Sequence, residues 1–192
     1  YLPGLCSGEL IGALGLTEPG SGSDSLGAMR TSAKKEGDHY LLNGSKTYIT
    51  NGSIADIILV YAKTDFDKKN KGITAFVIET KNPGFKVTSK LKKMGYRGSQ
   101  TSELFFENFK VPVENILGEE GKGHVIVMNG LDSERAMIAP ICLGISERAL
   151  DISVEYSKIR EQFGKPISSF QMIQSKIAEM YTSVQAIKVI VY

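Results

Sequence analysis

The sequence is short of the residues that build most covalent and metal chemistry. Its 192 residues include two cysteines, two histidines and no tryptophan. Cys6 and Cys142 stand alone, with no Cys-x-x-Cys pair and no Cys/His cluster. That argues against a disulfide framework and a zinc site, leaves no metal expected, and fits a reducing compartment. His39 and His124 are isolated and carry no assigned chemistry. No stretch holds 18 uninterrupted apolar residues and no signal-peptide pattern opens the chain, so membrane insertion is not expected. Neither sign of charge dominates: 23 Lys and Arg stand against 21 Asp and Glu, interspersed, for a net charge of +2. Nothing in that balance points to nucleic acid or an anionic membrane. What remains, 42% hydrophobic and 23% charged residues, is the composition of a soluble globular protein that can bury a core. The abrupt start at Tyr1-Leu2-Pro3 and the uncapped apolar segment Ile187–Tyr192 read as the ends of a fragment.

The chain changes period partway along. Up to about Val113 short apolar runs alternate with turn signals. His39–Thr50 reads as a hairpin turning at Asn43-Gly44. Ile57–Ala62, Ile73–Ile78, Phe85–Thr88 and Leu104–Glu107 read as strands, and a charged loop runs from Asp65 to Lys71. Strands at this spacing predict an antiparallel sandwich or barrel. From Gly121 the period becomes helical, with Val127, Leu131, Ile138, Ile141 and Ile145 on one stripe. Pro140 is expected to kink that helix or remove one of its hydrogen bonds. A polar connection, Lys158–Pro166, separates it from a second helix starting at Ser168 or Ser169, with Phe170, Ile173, Ile177 and Met180 inside. The expected class is α+β: a β-domain over 1–116, then, over 117–192, long helices of an incomplete four-helix bundle.

Several positions carry candidate chemistry. Thr17-Glu18-Pro19-Gly20-Ser21-Gly22-Ser23-Asp24 follows an apolar run, Ile11–Leu16. Gly20 and Gly22 can take positive φ, and Thr17, Ser21 and Ser23 put hydroxyls beside backbone N–H groups. The segment is either a polar turn or the lining of a phosphate or flavin site. Glu134 interrupts the first helix's apolar stripe, where a carboxylate is costly unless it is paired or faces a cavity. Gly130, one turn earlier, would leave room for a ligand. Either Glu134 is a general base raised toward neutrality by desolvation, or it pairs with Arg135 or Arg148. Tyr48 and Thr50 share a strand face with Ile49 on the other, offering a floor for a planar cofactor or an ordinary sheet surface. Arg160 sits in a turn where its fork could grip a pyrophosphate or simply be solvated.

Four segments in order resemble the acyl-CoA dehydrogenase family of flavoproteins: Leu16–Asp24, Asn43–Gly52, Met94–Ser99 and Arg160–Lys165. The resemblance covers the whole chain without large insertions. It corresponds to the family's middle β-domain and the first helices of its C-terminal domain; the N-terminal helical domain and the last helices are absent.

The resemblance implies FAD and residue roles. Leu14, Leu16 and Thr17 would meet the flavin's pyrimidine edge, and Gly22 and Ser23 would lie by the pyrophosphate. Thr50 would hydrogen-bond flavin N5 with Ile49 beside it, and Tyr48 takes a place where many relatives have tryptophan. Arg160, Gln162 and Phe163, assisted by Gln171, would reach the FAD of a neighbouring subunit in a homotetramer. Ser23, Val125, Asp132, Arg135 and Ile138 would line the acyl-CoA side. Glu134, directly before Arg135, matches the catalytic position of the isovaleryl-CoA and long-chain branches. It would take the α-proton while hydride leaves the β-carbon for flavin N5, giving a trans-2-enoyl-CoA. Electrons would pass to an electron-transferring flavoprotein, in a bacterial cytoplasm or a mitochondrial matrix. A straight-chain dehydrogenase, an acyl-CoA oxidase or flavin monooxygenase on the same fold, and a catalytically incompetent fragment are the alternatives.

Overall fold

The structure, a computed structural model, describes residues 1–192. In chain order it contains helix α1 (Leu2–Ser7) and strands β1 (Gly12–Gly15), β2 (Ser32–Glu36), β3 (His39–Thr50), β4 (Ile57–Lys63), β5 (Ile73–Glu79), β6 (Phe85–Lys90), β7 (Thr101–Pro112) and β8 (Ile116–Leu117). Helix α2 (Gly123–Ile159), strands β9 (Glu161–Gln162) and β10 (Lys165–Pro166), and helix α3 (Gln171–Val191) complete it. This is the expected α+β class, an antiparallel-rich sheet followed by long helices. Two compact units divide inside α2, one spanning Tyr1–Met128 and the other Asn129–Tyr192.

The first unit is built on one eight-stranded sheet in the order β6-β7-β3-β2-β4-β5-β8, with β1 paired to β4 off this path. Strand β4 is its hub. Its Ile57–Lys63 run pairs antiparallel with β5 along its whole length. On the other side it pairs parallel with β1, from Gly12 on Ile57 to Gly15 on Val60, and with β2 at Ser32 on Lys63. These two parallel junctions depart from an all-antiparallel reading, and they bring the segment leading into Thr17 against the middle of the sheet. The core lies on Tyr40, Leu42, Ile58, Val60, Phe76, Ile78, Leu104, Phe106, Phe109 and Val111. Aromatic edges meet within it, Tyr40 on Phe76 and Phe106 on Phe109, an arrangement that ring quadrupoles favour.

One expectation is overturned here. Residues 39–50 are not a hairpin but a single twelve-residue strand. Asn43-Gly44 marks a break in the register of β3 on β7 rather than a turn. Gly44 has φ 147°, and a Cβ there would lie 2.6 Å from Thr31 Oγ1 and 2.7 Å from Thr31 Cα. Asn43 is engaged across the sheet, accepting from the Asn108 backbone N–H at 2.8 Å. The true hairpin turn is Gly37-Asp38, between the paired residues Glu36 and His39. A bulge and a tight turn ask for the same residue types, which is why the pattern misled.

In the second unit α2 runs on as one helix through Pro140. Pro140 neither ends nor divides it. Leu143 and Ser157 are buried on one side of this helix, and Glu147 pairs with Lys188 of α3 at 3.1 Å. On α3, Ile173, Ile177, Met180, Val184 and Ile187 form the covered stripe, at the 3–4 spacing expected of an amphipathic helix. Ile138, Ile141, Ile145, Ile152, Tyr156 and Ile159 form a second stripe on α2, and all six are exposed.

Candidate functional site

In the first unit a cluster of the candidate residues comes together where β1 and its continuation run beside the end of β3. The Thr47 N–H donates to Thr17 O at 2.9 Å, and the Asn51 side chain donates to Gly12 O at 3.4 Å. Residues 12–17 and 46–51 are thereby held side by side. On β3, Tyr48 and Thr50 are exposed while Ile49 between them is buried, so any contact that Ile49 makes with a ligand falls to its backbone. Tyr48 has φ 59°, in the left-handed region, at the second register break of β3 between Lys46 and Ile49. A large side chain held there is strained, and such strain concentrates at functional sites. Leu14 is exposed beside them, and Leu16 and Thr17 are half-buried.

The following loop differs from expectation in one respect. Neither Gly20 nor Gly22 has positive φ. Glu18 and Ser21 instead exchange both backbone hydrogen bonds, at 3.2 and 3.0 Å, closing a tight turn around Pro19-Gly20. Gly22 and Ser23 are exposed just beyond it.

Sequence reasoning missed the charged pair beneath this wall. The Lys46 side chain is 0% exposed and its Nζ lies 2.9 Å from Glu18 Oε1, itself buried. Lys46 also donates to Leu16 O at 3.1 Å. Glu18 accepts from the backbone N–H groups of Arg30 at 2.7 Å and Thr31 at 2.9 Å. Burial alone would favour a neutral acid at Glu18, but the Lys46 charge and the donors around it hold the carboxyl below its ordinary value. Burial pushes the Lys46 ammonium down to about 8, against the opposing pull of Glu18. The available signal was a lysine in step with Tyr40 and Leu42 in an alternating strand, where an apolar residue is expected.

The second unit carries the remaining candidates apart from Val125, which is exposed in the first turn of α2. Glu134 is exposed and makes no ion pair; Arg135 instead pairs with Asp132 at 3.0 Å. Neither the expected pairing with an arginine nor burial of Glu134 on a covered stripe is found. The stripe on which it sits, continuing through Ile138 at 57% and Ile141 at 59% exposure, is open. Gly130, one turn before Glu134, is likewise exposed, and a Cβ there would meet nothing within 4 Å.

Arg160, Gln162 and Phe163 lie on a two-stranded ribbon. Lys165 pairs with Gln162 and Pro166 with Glu161, leaving Phe163-Gly164 as a two-residue loop with φ 53° and 74°. Positive φ at both central residues is the type I′ pattern, which favours Asn-Gly. A phenylalanine there, 93% exposed, is presented at a backbone cost. Its ring edge meets Phe170, 6.1 Å between centroids. Gln171 opens α3 and is exposed.

Comparison with known proteins finds two successive matches. Residues 13–109 match the description "Acyl-CoA dehydrogenase, middle domain", and residues 121–192 match "Acyl-CoA dehydrogenase, C-terminal domain". The chain is 52% identical to the mitochondrial isovaleryl-CoA dehydrogenase of Oryza sativa subsp. japonica, over 100% of this chain and 47% of the relative. It is 50% identical to the short-chain specific acyl-CoA dehydrogenase of Megasphaera elsdenii, over 100% of this chain and 50% of the relative. A chain solved in work on the electron transferring flavoprotein of Acidaminococcus fermentans superposes with a TM-score of 0.96 at 47% identity, over 100% of this chain and 50% of that one. The chain thus spans about half the length of the curated relatives it matches.

Proposed function

Because the chain belongs to the acyl-CoA dehydrogenase family, we propose that the whole protein is an FAD-dependent dehydrogenase that introduces a trans double bond between Cα and Cβ of a short or branched acyl-CoA, isovaleryl-CoA being the leading substrate. The observation that carries this reading is Glu134: exposed, unpaired, in line with the apolar stripe of α2, and followed by an arginine already committed to Asp132. With no cation bound to it, the carboxylate is left open to a ligand.

The residues present fit the cofactor. Leu14, Leu16, Thr17, Gly22, Ser23, Tyr48, Thr50 and the Ile49 backbone would hold FAD in the first unit, on a surface mixing an aromatic face, hydroxyls and backbone groups. Arg160, Gln162, Phe163 and Gln171 would serve the FAD of a neighbouring subunit in a homotetramer. When bound, FAD supplies a two-electron acceptor for the hydride. Ser23, Val125, Asp132, Arg135 and Ile138 would orient the acyl-CoA, with the branched Ile138 one turn beyond Glu134 bordering the acyl chain. Glu134 would remove the α-proton. Exclusion of water around these residues would keep the electrons for an electron-transferring flavoprotein rather than oxygen. The similarity to both mitochondrial and bacterial enzymes supports a mitochondrial matrix or a bacterial cytoplasm.

In the flavin-loaded, full-length protein, Glu134→Gln should retain FAD yet slow anaerobic flavin bleaching by isovaleryl-CoA by a factor of about 10² to 10⁴, the usual size of a general-base contribution. Bleaching at the wild-type rate would move the base elsewhere. Rapid oxygen consumption by the wild type would instead make it an oxidase. The near-equal identity to the short-chain enzyme of M. elsdenii supports a second reading, a straight-chain dehydrogenase. Comparing kcat/KM for isovaleryl-CoA and butyryl-CoA separates the two.

A further inference from the structure

The Glu18–Lys46 pair is buried, and its hydrogen bonds reach backbone groups of three further residues. The sheet around it supplies apolar neighbours: a Cβ on Gly15 would lie 3.4 Å from Val60 Cγ2, 3.5 Å from Ile58 Cγ2 and 3.6 Å from Lys46 Cγ. In β3, Lys46 stands opposite Leu104 of β7. Two apolar side chains would suit such a place, since exchanging a buried ion pair for hydrophobic residues of similar volume is often neutral or stabilising. The pair therefore calls for another explanation than stability.

Its hydrogen bonds supply one. From Leu16 to Thr31 the chain has neither helix nor ladder beyond the Glu18–Ser21 bridge. Yet both ends of this segment converge on the buried pair. Lys46 holds Leu16 O at one end, and Glu18 gathers the Arg30 and Thr31 N–H groups at the other. Thr17, between the two tethered residues, is fixed by the Thr47 N–H. A second buried lysine, Lys63, donates to Gly27 O at 3.1 Å and tacks the loop's distal part to β4.

We propose that Lys46 and Glu18 are positioning residues, a buried latch that sets the Leu16-Thr17 backbone in the conformation that receives the flavin. The latch itself rests on the geometry above, and its consequence for the cofactor rests on the function proposed for this wall. Neither residue touches the flavin; both act through the backbone they hold.

The test uses Lys46→Met combined with Glu18→Gln, which removes both charges together and leaves no buried ion unpaired. In the cofactor-free full-length protein, hydrogen–deuterium exchange at the Arg30 and Thr31 amides should accelerate about tenfold or more, the weight of a hydrogen bond to a charged group. The melting temperature should stay close to wild type. In the same variant FAD should bind about tenfold or more weakly, with a shifted visible flavin band, an effect that a purely structural pair would not produce at unchanged melting temperature. Unchanged amide exchange would overturn the latch, and wild-type FAD affinity with a wild-type flavin spectrum would overturn its role in positioning. If the wild-type protein takes up no FAD at all, the flavin reading of the wall fails, and the exchange measurement still decides on the latch.

Discussion

Gly72 has no room for a side chain. A Cβ at this position would overlap the backbone oxygen of Asp65, and its own carbonyl accepts from the Thr64 and Asp65 N–H groups. Because the obstacle is backbone, Gly72→Ala cannot be relieved by turning a side chain. It should cost about 3 kcal/mol or more, in the range of strongly overpacked sites, and a denaturant melt reads this directly. The buried pair predicts a pH dependence of the same sign on both limbs, closure gaining as pH rises. Glu18 is held below its ordinary 4.5, so it contributes stability that is in place above that value and lost as pH falls through the depressed one. Lys46 loses its proton near 8 in the folded chain, against 10.5 ordinarily. Between those values the opened segment binds more protons than the closed one, so rising pH favours closure. Exchange at Arg30 and Thr31, corrected for intrinsic rates, should therefore speed up in acid and not above pH 8; alkaline loosening would contradict this. At this scale the place of Glu134 in line with the α2 stripe was legible, although that stripe is open and not the covered one expected. Its pairing was not: the Arg135 partner turned out to be Asp132. Lys46 escaped notice because its partner lies 28 residues away and only the folded sheet joins them.

At the scale of elements, two candidate cofactor residues, one in each unit, share a device. Tyr48 at the β3 register break and Phe163 at the tip of the β9–β10 ribbon are both exposed aromatic residues with left-handed backbones. Non-glycine residues hold such conformations at a cost of about 1 kcal/mol or more. Relieving it should stabilise the chain and harm the site together. Phe163→Asn creates the Asn-Gly sequence that a type I′ turn prefers. It should raise stability by a few tenths to about 1 kcal/mol while weakening FAD binding in the full-length protein. Tyr48→Gly should likewise leave stability unchanged or improved, with an altered flavin spectrum. A parallel fall in melting temperature and FAD affinity in either variant would show ordinary structural residues instead. None of this strain is visible in sequence, because aromatic residues are at home in strands and nothing local announces a bulge. The same blindness turned Asn43-Gly44 into a hairpin. The signal was real, but it belonged to a glycine crowded by Thr31 and an asparagine reaching Asn108.

For the molecule as a whole, the change from strand period to helical period near Gly121 placed the two architectures correctly, and α2 indeed begins at Gly123. What periodicity could not tell was which apolar stripes are covered. On α2 the positions in line with Glu134, from Ile138 to Ile159, are open to solvent, and at spacings of three, four or seven residues they make one band on the helix. Monomeric soluble proteins seldom expose apolar bands of that kind. Produced by itself, the 192-residue chain should accordingly bind a hydrophobic dye and self-associate in proportion to concentration. It should also fail to retain FAD as a monomer, because Arg160, Gln162, Phe163 and Gln171 are read as serving a neighbour's cofactor. Size-exclusion chromatography monitored at a flavin wavelength and at a protein wavelength checks both expectations at once. A monomeric peak carrying one FAD per chain would overturn the assignment of those four residues. A dye-silent monomer would mean that the α2 band is not a surface in need of cover. Placing charge on the band but away from Glu134, as in Ile152→Lys, should reduce association of the isolated chain without restoring FAD. That outcome would separate the exposure of the helix from the incompleteness of the flavin site.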